Sequence, residues 1–256
     1  MKTILLLTLV FASATNLSAQ QTPAPQQQTT PAPDPEWHLL LEPYMMFGNL
    51  NGNVAIGTQP VSNINEDPSD LFKHLNFGAM LYTEAYSNKW IISSDFIYMK
   101  LGSDIPPNDY ISNGHATIKQ LNWELAAMKR LTPWFSLGLA AQLNSIKMDL
   151  SIIAGGNQTN GNLTKAWVDP SIVSAIKLPL GGKWTLRARG NIGGFGVASD
   201  IYWQLQAYAD YRFSKLFQTS IGYRAIKDDY ETGSGDNYYL YNVITFGPVI
   251  RFGFNF

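Results

Sequence analysis

The chain of 256 residues contains no cysteine. That absence excludes disulfides, a thiolate nucleophile, a cysteine-ligated zinc site and an acylated N-terminal cysteine. Charge is also scarce. Asp, Glu, Lys and Arg make up 14% of the residues, against about 25% in an ordinary soluble domain. The deficit points away from a cytosolic enzyme. A formal net charge of −1 leaves no basic footprint for nucleic acid. Histidine is rare too: His38, His74 and His115 complete the set, and no metal-ligand spacing stands out. After the first twenty residues no run approaches eighteen apolar residues, so no membrane-spanning helix is expected.

What is present begins with an address. Lys2 gives a positive start, Ile4 to Ala12 form a short apolar stretch, and Leu17-Ser18-Ala19 ends on a small residue. This predicts a secretory signal peptide over residues 1–19, cleaved after Ala19. Residues 20–35 read QQTPAPQQQTTPAPDP. Such Gln/Thr/Pro composition cannot bury a core and predicts an extended leader. Residues 36–256 are left for the fold.

Their common signal is alternation with period two, which predicts strands. Phe246, Pro248, Ile250, Phe252, Phe254 and Phe256 share one parity, with Thr245, Gly247, Val249, Arg251, Gly253 and Asn255 on the other. Trp203, Leu205, Ala207, Ala209, Tyr211 and Phe213 alternate in the same way with Gln204, Gln206, Tyr208, Asp210 and Arg212. A soluble sandwich also alternates. Here the segments are often a dozen residues or more, beyond the usual strand length of roughly six.

The connections alternate between short and long. The short ones are 87–89, 132–133, 181–183 and 214–215. Trp90, Trp134 and Trp184 follow the first three, and Leu216-Phe217 follows the fourth. Aromatics recurring at one end of successive hairpins are what an interfacial girdle requires. The longer, Asn/Gly/Asp/Ser/Pro-rich connections fall near 57–70, 103–115, 153–164, 197–200 and 231–237. This predicts ten strands, over 37–50, 71–86, 90–102, 116–131, 134–152, 164–180, 183–197, 200–213, 216–230 and 238–256. Eight strands is the competing count. An even strand number with short turns at one end is the pattern of a closed antiparallel transmembrane β-barrel in a bacterial outer membrane. Gly190, Gly193, Gly194 and Gly196 predict a bulge or a close strand approach in the seventh strand.

Two stretches carry a resemblance. Phe256, with Phe254, Phe252 and Ile250 behind it, resembles the terminal signature of outer-membrane barrels. The stretch from Arg187 to Asp200, RARGNIGGFGVASD, continued by Tyr202-Trp203-Gln204, is similar to a motif of a family of small outer-membrane β-barrel proteins. Gly222-Tyr223-Arg224 and Asp229-Tyr230-Glu231 fit the same pattern. The motif-bearing match covers about the last seventy residues. The resemblance implies the barrel fold, the outer-membrane address, and recognition of Phe252, Phe254 and Phe256 by the barrel-assembly machinery. It implies no substrate, cofactor or catalytic residue.

If the apolar parity meets lipid, the other parity meets the lumen. The lumen then holds Glu42, Glu84, Asp95 and Glu124 from the early strands. It holds Lys177, Arg187, Arg189, Arg212, Arg224 and Arg251 from the later ones. Arg130 and Asp210 depart from that division. Two readings are open: a salt-bridged plug, since charges in a narrow lumen must be paired, or a narrow pore whose opposed walls orient small polar solutes. Arg187 and Arg189, two apart on one face, would pin such a network or bind an anion. Adhesion or ligand capture by the outer loops is the alternative. Enzymatic chemistry is not expected. Outer-membrane hydrolases generally need a histidine paired with Ser or Asp, and an omptin-like rim would want an Asp-His pair beside Asp228-Asp229.

Overall fold

The computed structural model describes residues 36–107 and 112–256. The expected signal peptide and leader lie outside the described residues. From His38 onward, burial alternates as the sequence pattern requires. Along the strand that contains Leu139, that side chain is 69% exposed while Ala140 and Gln142 beside it are buried. Ile221 is 65% exposed and Ser220 is buried. Large apolar side chains on an outer surface and polar ones within invert the order of a soluble protein. The inversion is stable only where the surrounding solvent is hydrocarbon.

The strands are β1 (His38–Met46), β2 (Asn49–Ile56), β3 (Ser62–Glu66), β4 (Leu75–Tyr86), β5 (Trp90–Ile105) and β6 (Asn113–Arg130). They continue with β7 (Phe135–Ala154), β8 (Asn157–Gly181), β9 (Trp184–Gly194), β10 (Ile201–Arg212), β11 (Phe217–Thr232) and β12 (Tyr239–Asn255). A short helix, α1 (Pro68–His74), precedes β4. Ten strands close an antiparallel barrel in the order β1, β4 to β12 and back to β1. The seam joins Leu40 to Asn255 and Met46 to Val249. Closure removes the open edge that hydrocarbon cannot satisfy. Both ends of the described chain sit on the short-turn side, where Leu39 and Phe256 exchange backbone hydrogen bonds of 3.0 and 2.8 Å.

β12 has two partners along its seam edge. Its last half pairs with β1, and its first half, Tyr239 to Phe246, pairs with β2. β1 and β2 are therefore one line of strand, broken at Phe47-Gly48. Gly247 makes the break fit. A Cβ there would stand 1.9 Å from the carbonyl oxygen of Phe47. β3 folds back on β2 outside the ten-strand ring.

Several expected boundaries shift. The expected loop at 57–70 contains β3 and the start of α1, and the expected strand at 71–86 begins with the rest of that helix and becomes strand only at Leu75. The helix has a local cause. Asp67 accepts from the Asp70 amide at 2.9 Å, and Pro68 opens the first turn, an ordinary capped start. Lys73 beside Asp70, at 3.0 Å, holds that carboxyl below its usual range. The expected loop at 153–164 is instead the top of a ribbon. β7 and β8 run on to a two-residue turn, where Gly155 and Gly156 take φ of 56° and 80°, as such hairpin turns require. Both faces of the ribbon meet water, so apolar alternation is absent from it. The glycine-rich seventh strand ends at Gly194 rather than 197. At Gly193 a Cβ would lie 2.3 Å from the Pro170 carbonyl oxygen, so the cluster marks a close strand approach and then a turn.

Candidate functional site

The barrel interior is filled, and its filling is the candidate site. Glu42 (β1), fully buried, accepts from Arg187 (β9) at 2.7 Å and from Arg251 (β12) at 3.2 Å. Arg187 also reaches Asp210 (β10) at 2.6 Å and Ser220 at 3.0 Å. Arg189 (β9) pairs with Glu124 (β6) and donates to Ser93 at 2.9 Å. Asn191 and Tyr202 donate to the other Glu124 oxygen at 2.6 and 3.3 Å. Arg224 (β11) pairs with Asp95 (β5) at 3.0 Å and donates to Gln204 at 2.7 Å. Tyr44 donates to Asp95 at 2.7 Å. Four arginines thus meet Glu42, Asp95, Glu124 and Asp210; the Arg187–Asp210 bridge joins the neighbouring β9 and β10, and the others span strands far apart in sequence. The charges balance, which is what a low-dielectric interior demands.

Arg251 is the centre of this arrangement. Its guanidinium carbon lies 4.2 Å from the ring centre of Tyr208 and 4.8 Å from those of Tyr44 and Tyr82. It also donates to Gln206 at 3.0 Å and to the Tyr208 hydroxyl at 2.9 Å. A planar cation suits such a cage, since it stacks on ring faces while its edge donates. Gly253 keeps the space open. A Cβ there would fall 3.0 Å from a Glu42 carboxylate oxygen.

At the periplasmic end, Glu84, Arg130, Lys177 and Arg187 line a small cavity of about 60 Å³. Lys177 and Arg130 lie over the Tyr86 ring at 5.4 and 5.6 Å. Arg212 belongs to the expected set by parity, but it stands exposed at this end, and no described ion pair includes it. The last residue of β10 lies too near the rim to reach the interior carboxylates. Trp90, Trp134 and Trp184 are each about half exposed at the same end. Phe217 packs between Phe213 and Phe254, at 5.5 and 5.6 Å. Phe252, Phe254 and Phe256 all face outward on or beside β12.

Towards the outer end the filling becomes amide and aromatic. Asp169 (β8) accepts from the Ser199 hydroxyl at 2.7 Å and amide at 2.9 Å, and from the Trp167 indole at 3.0 Å. Asn144 donates to Asp228 at 3.3 Å. Trp167 stacks on Tyr230 at 4.1 Å, with Tyr239 and Tyr241 alongside. Asp169, on the same face of β8 as Lys177, joins the interior beyond the expected set, as do Tyr44 and Tyr82, while Tyr208, Gln204 and Gln206 take the polar parity expected of them. All of them have inward parity, and that signal was available. Asp228 faces inward among these groups. His115 meets Asp104 at 2.8 Å on the other, outward parity of β5 and β6. The rim acid and the histidine pair do not share a face.

No family model and no curated protein matches the chain. Solved structures do match it. The outer membrane protease OmpT of Escherichia coli aligns over 88% of this chain and 97% of its own, at 10% identity and a TM-score of 0.51. Ail, the attachment invasion locus protein of Yersinia pestis, aligns over 86% and 98%, at 10% identity and 0.41. The translocator domain of the autotransporter NalP from Neisseria meningitidis aligns over 86% and 88%, at 10% identity and 0.34. The likeness to OmpT is one of fold. The closed ring and its apolar outer surface agree with it: the chain is an outer-membrane β-barrel.

Proposed function

We propose that the chain is a closed, non-conducting outer-membrane barrel whose lumen network serves as a fixed internal frame. The observation that carries this reading is the filled cross-section. Arg187, Arg189, Arg224 and Arg251 meet four buried carboxylates, and each of the eight side chains is at most 14% exposed. Opposed acidic and basic walls would orient a solute only if water stood between them. Here the walls touch. Function then belongs to the outer surfaces, in contact with lipid and with whatever meets the outer ribbon. The same reading takes Phe252, Phe254 and Phe256 as the segment read by the assembly machinery, and takes residues 187–200 as the mark of the small-barrel family. It assigns no catalytic residue, no cofactor and no polar solute.

Single-channel recording in a planar bilayer tests the proposal. The refolded protein is expected to be silent. The Arg187→Ala/Arg251→Ala double variant, which empties the middle of the frame, is expected to show discrete steps. Steps in the unaltered protein would overturn the proposal and favour a pore for small polar solutes.

A second reading, adhesion through the outer end, is favoured by one feature. β7 and β8 extend as an exposed ribbon to Gly155-Gly156, offering backbone and amide groups above the membrane.

A further inference from the structure

The ladder between β1 and β4 is interrupted. β1 and β4 pair from His38 opposite Tyr86 to Pro43 opposite Leu81. Beyond that, β1 continues to Met46 with β12 as its partner, and β2 pairs with β12 and β3. The outer part of β4, from Leu75 to Met80, pairs with β5 alone. A wedge therefore opens between β1–β2 and β4. Unpaired backbone is costly at membrane depth unless protein covers it. α1 is the cover: the Phe72 ring packs on Phe47 at 5.6 Å.

Behind the helix lies a cavity of about 150 Å³, lined chiefly by Met46, Met80, Met99, Ile97, Leu50 and Leu71. Gln120, Asn122 and Asp228 form its inner end. Met45 and Phe72, both exposed on the lipid side, belong to its lining, and Phe47, Phe77 and Leu81 are exposed on the neighbouring outer surface. A cavity of this order has room for a solute of roughly benzene size. It takes the end of one chain, not a whole lipid. Methionine walls adapt to a flexible guest.

Charge sets the direction of entry. Among the described residues no cation lines the cavity, so nothing at its inner end would hold an anionic head. Lys73 stands on the covering helix. Lys100 lies opposite Phe77 and continues into a row with Lys119 and Lys147 on the outward face; Asp149 sits beside the last two, at 3.1 and 3.8 Å, and leaves the row an excess of positive charge. We propose that the wedge is a side door through which one acyl chain of an anionic membrane lipid enters tail first. Its head stays outside against these lysines, and α1 is the flap. The reading depends on the interrupted ladder and the cavity, so it stands whether or not the lumen conducts.

The test uses the full mature protein in phosphatidylethanolamine/phosphatidylglycerol vesicles. These are doped with a phosphatidylglycerol that carries a diazirine at the end of one acyl chain. After illumination, adducts are mapped by mass spectrometry. Labelling is expected on the inward-facing Met46, Met80 and Met99, which a chain outside the barrel cannot reach. Adducts confined to outward residues such as Phe77 and Leu81 would overturn the side door. Met80→Trp, which fills the cavity, should lose inward labelling severalfold and keep the outward signal. If that variant does not fold, Phe47→Cys/Phe72→Cys joined by a short bifunctional thiol reagent replaces it. The chain has no other cysteine, so the bridge is unique. Inward labelling that persists in the bridged form would overturn the flap. Equal inward labelling by a phosphatidylcholine probe would overturn the anionic head.

Discussion

At the scale of the residue, Arg251 concentrates the energetics of the interior. It touches Glu42, Gln206 and three tyrosine rings while 2% exposed. Removing one partner of a buried ion pair strands the other, at a cost of about 3–5 kcal/mol. Arg251→Ala is therefore expected to lower the urea midpoint of the refolded barrel by that order, measured by tryptophan fluorescence. Arg251→Lys should recover only part of it, because an ammonium cannot stack on Tyr208 and donate in a fork at once. A full rescue by lysine would mean that charge alone matters. The parity of Arg251 and of Glu42 could be read from sequence. That the two would meet could not. Which inward residues face one another across the lumen depends on strand number and stagger, and alternation along a strand carries neither. Arg212 shows the same limit. Its parity is inward, but its height on β10 leaves it at the exposed rim.

At the scale of the element, the break between β1 and β2 hangs on Gly247. Gly247→Ala would drive a methyl group into the Phe47 carbonyl. Repacking there should cost about 1–3 kcal/mol, seen as a lowered temperature for the gel-mobility change on heating. The ribbon is expected to behave oppositely. Replacing residues 151–160 with Asn-Gly should shift stability by less than about 0.5 kcal/mol, since pairing below it is regular and its side chains meet water. Loss of a cell-binding phenotype without loss of fold would place adhesion there. These two elements also show where sequence reading stopped. β10 and β12 alternate cleanly because one face meets lipid and the other a packed interior. β3 and the ribbon top are polar and wet on both sides, and β2, Asn-rich with Ala55 its one buried residue, alternates too weakly to read as a strand. α1 is seven residues long, too short for a periodic stripe, and the Asp67-Pro68 start was its one local mark.

At the scale of the whole molecule, the seam that closes the ring is made by its two ends. Glu42 and Arg251, bonded across it, are 209 residues apart in the chain. Contacts so distant in sequence carry the largest loop-closure cost and slow the step that makes them. Until β12 arrives, both β11 and β1 are open edges, and open edges invite wrong pairing. A nascent copy of this protein therefore carries its greatest aggregation hazard until the seventeen residues of β12 are delivered. The interior charges wait as well, because Arg251 travels on that last strand and Glu42 on the first. Commitment to the native state is thus deferred to the arrival of β12, when one strand closes the wall and neutralises the core in a single event.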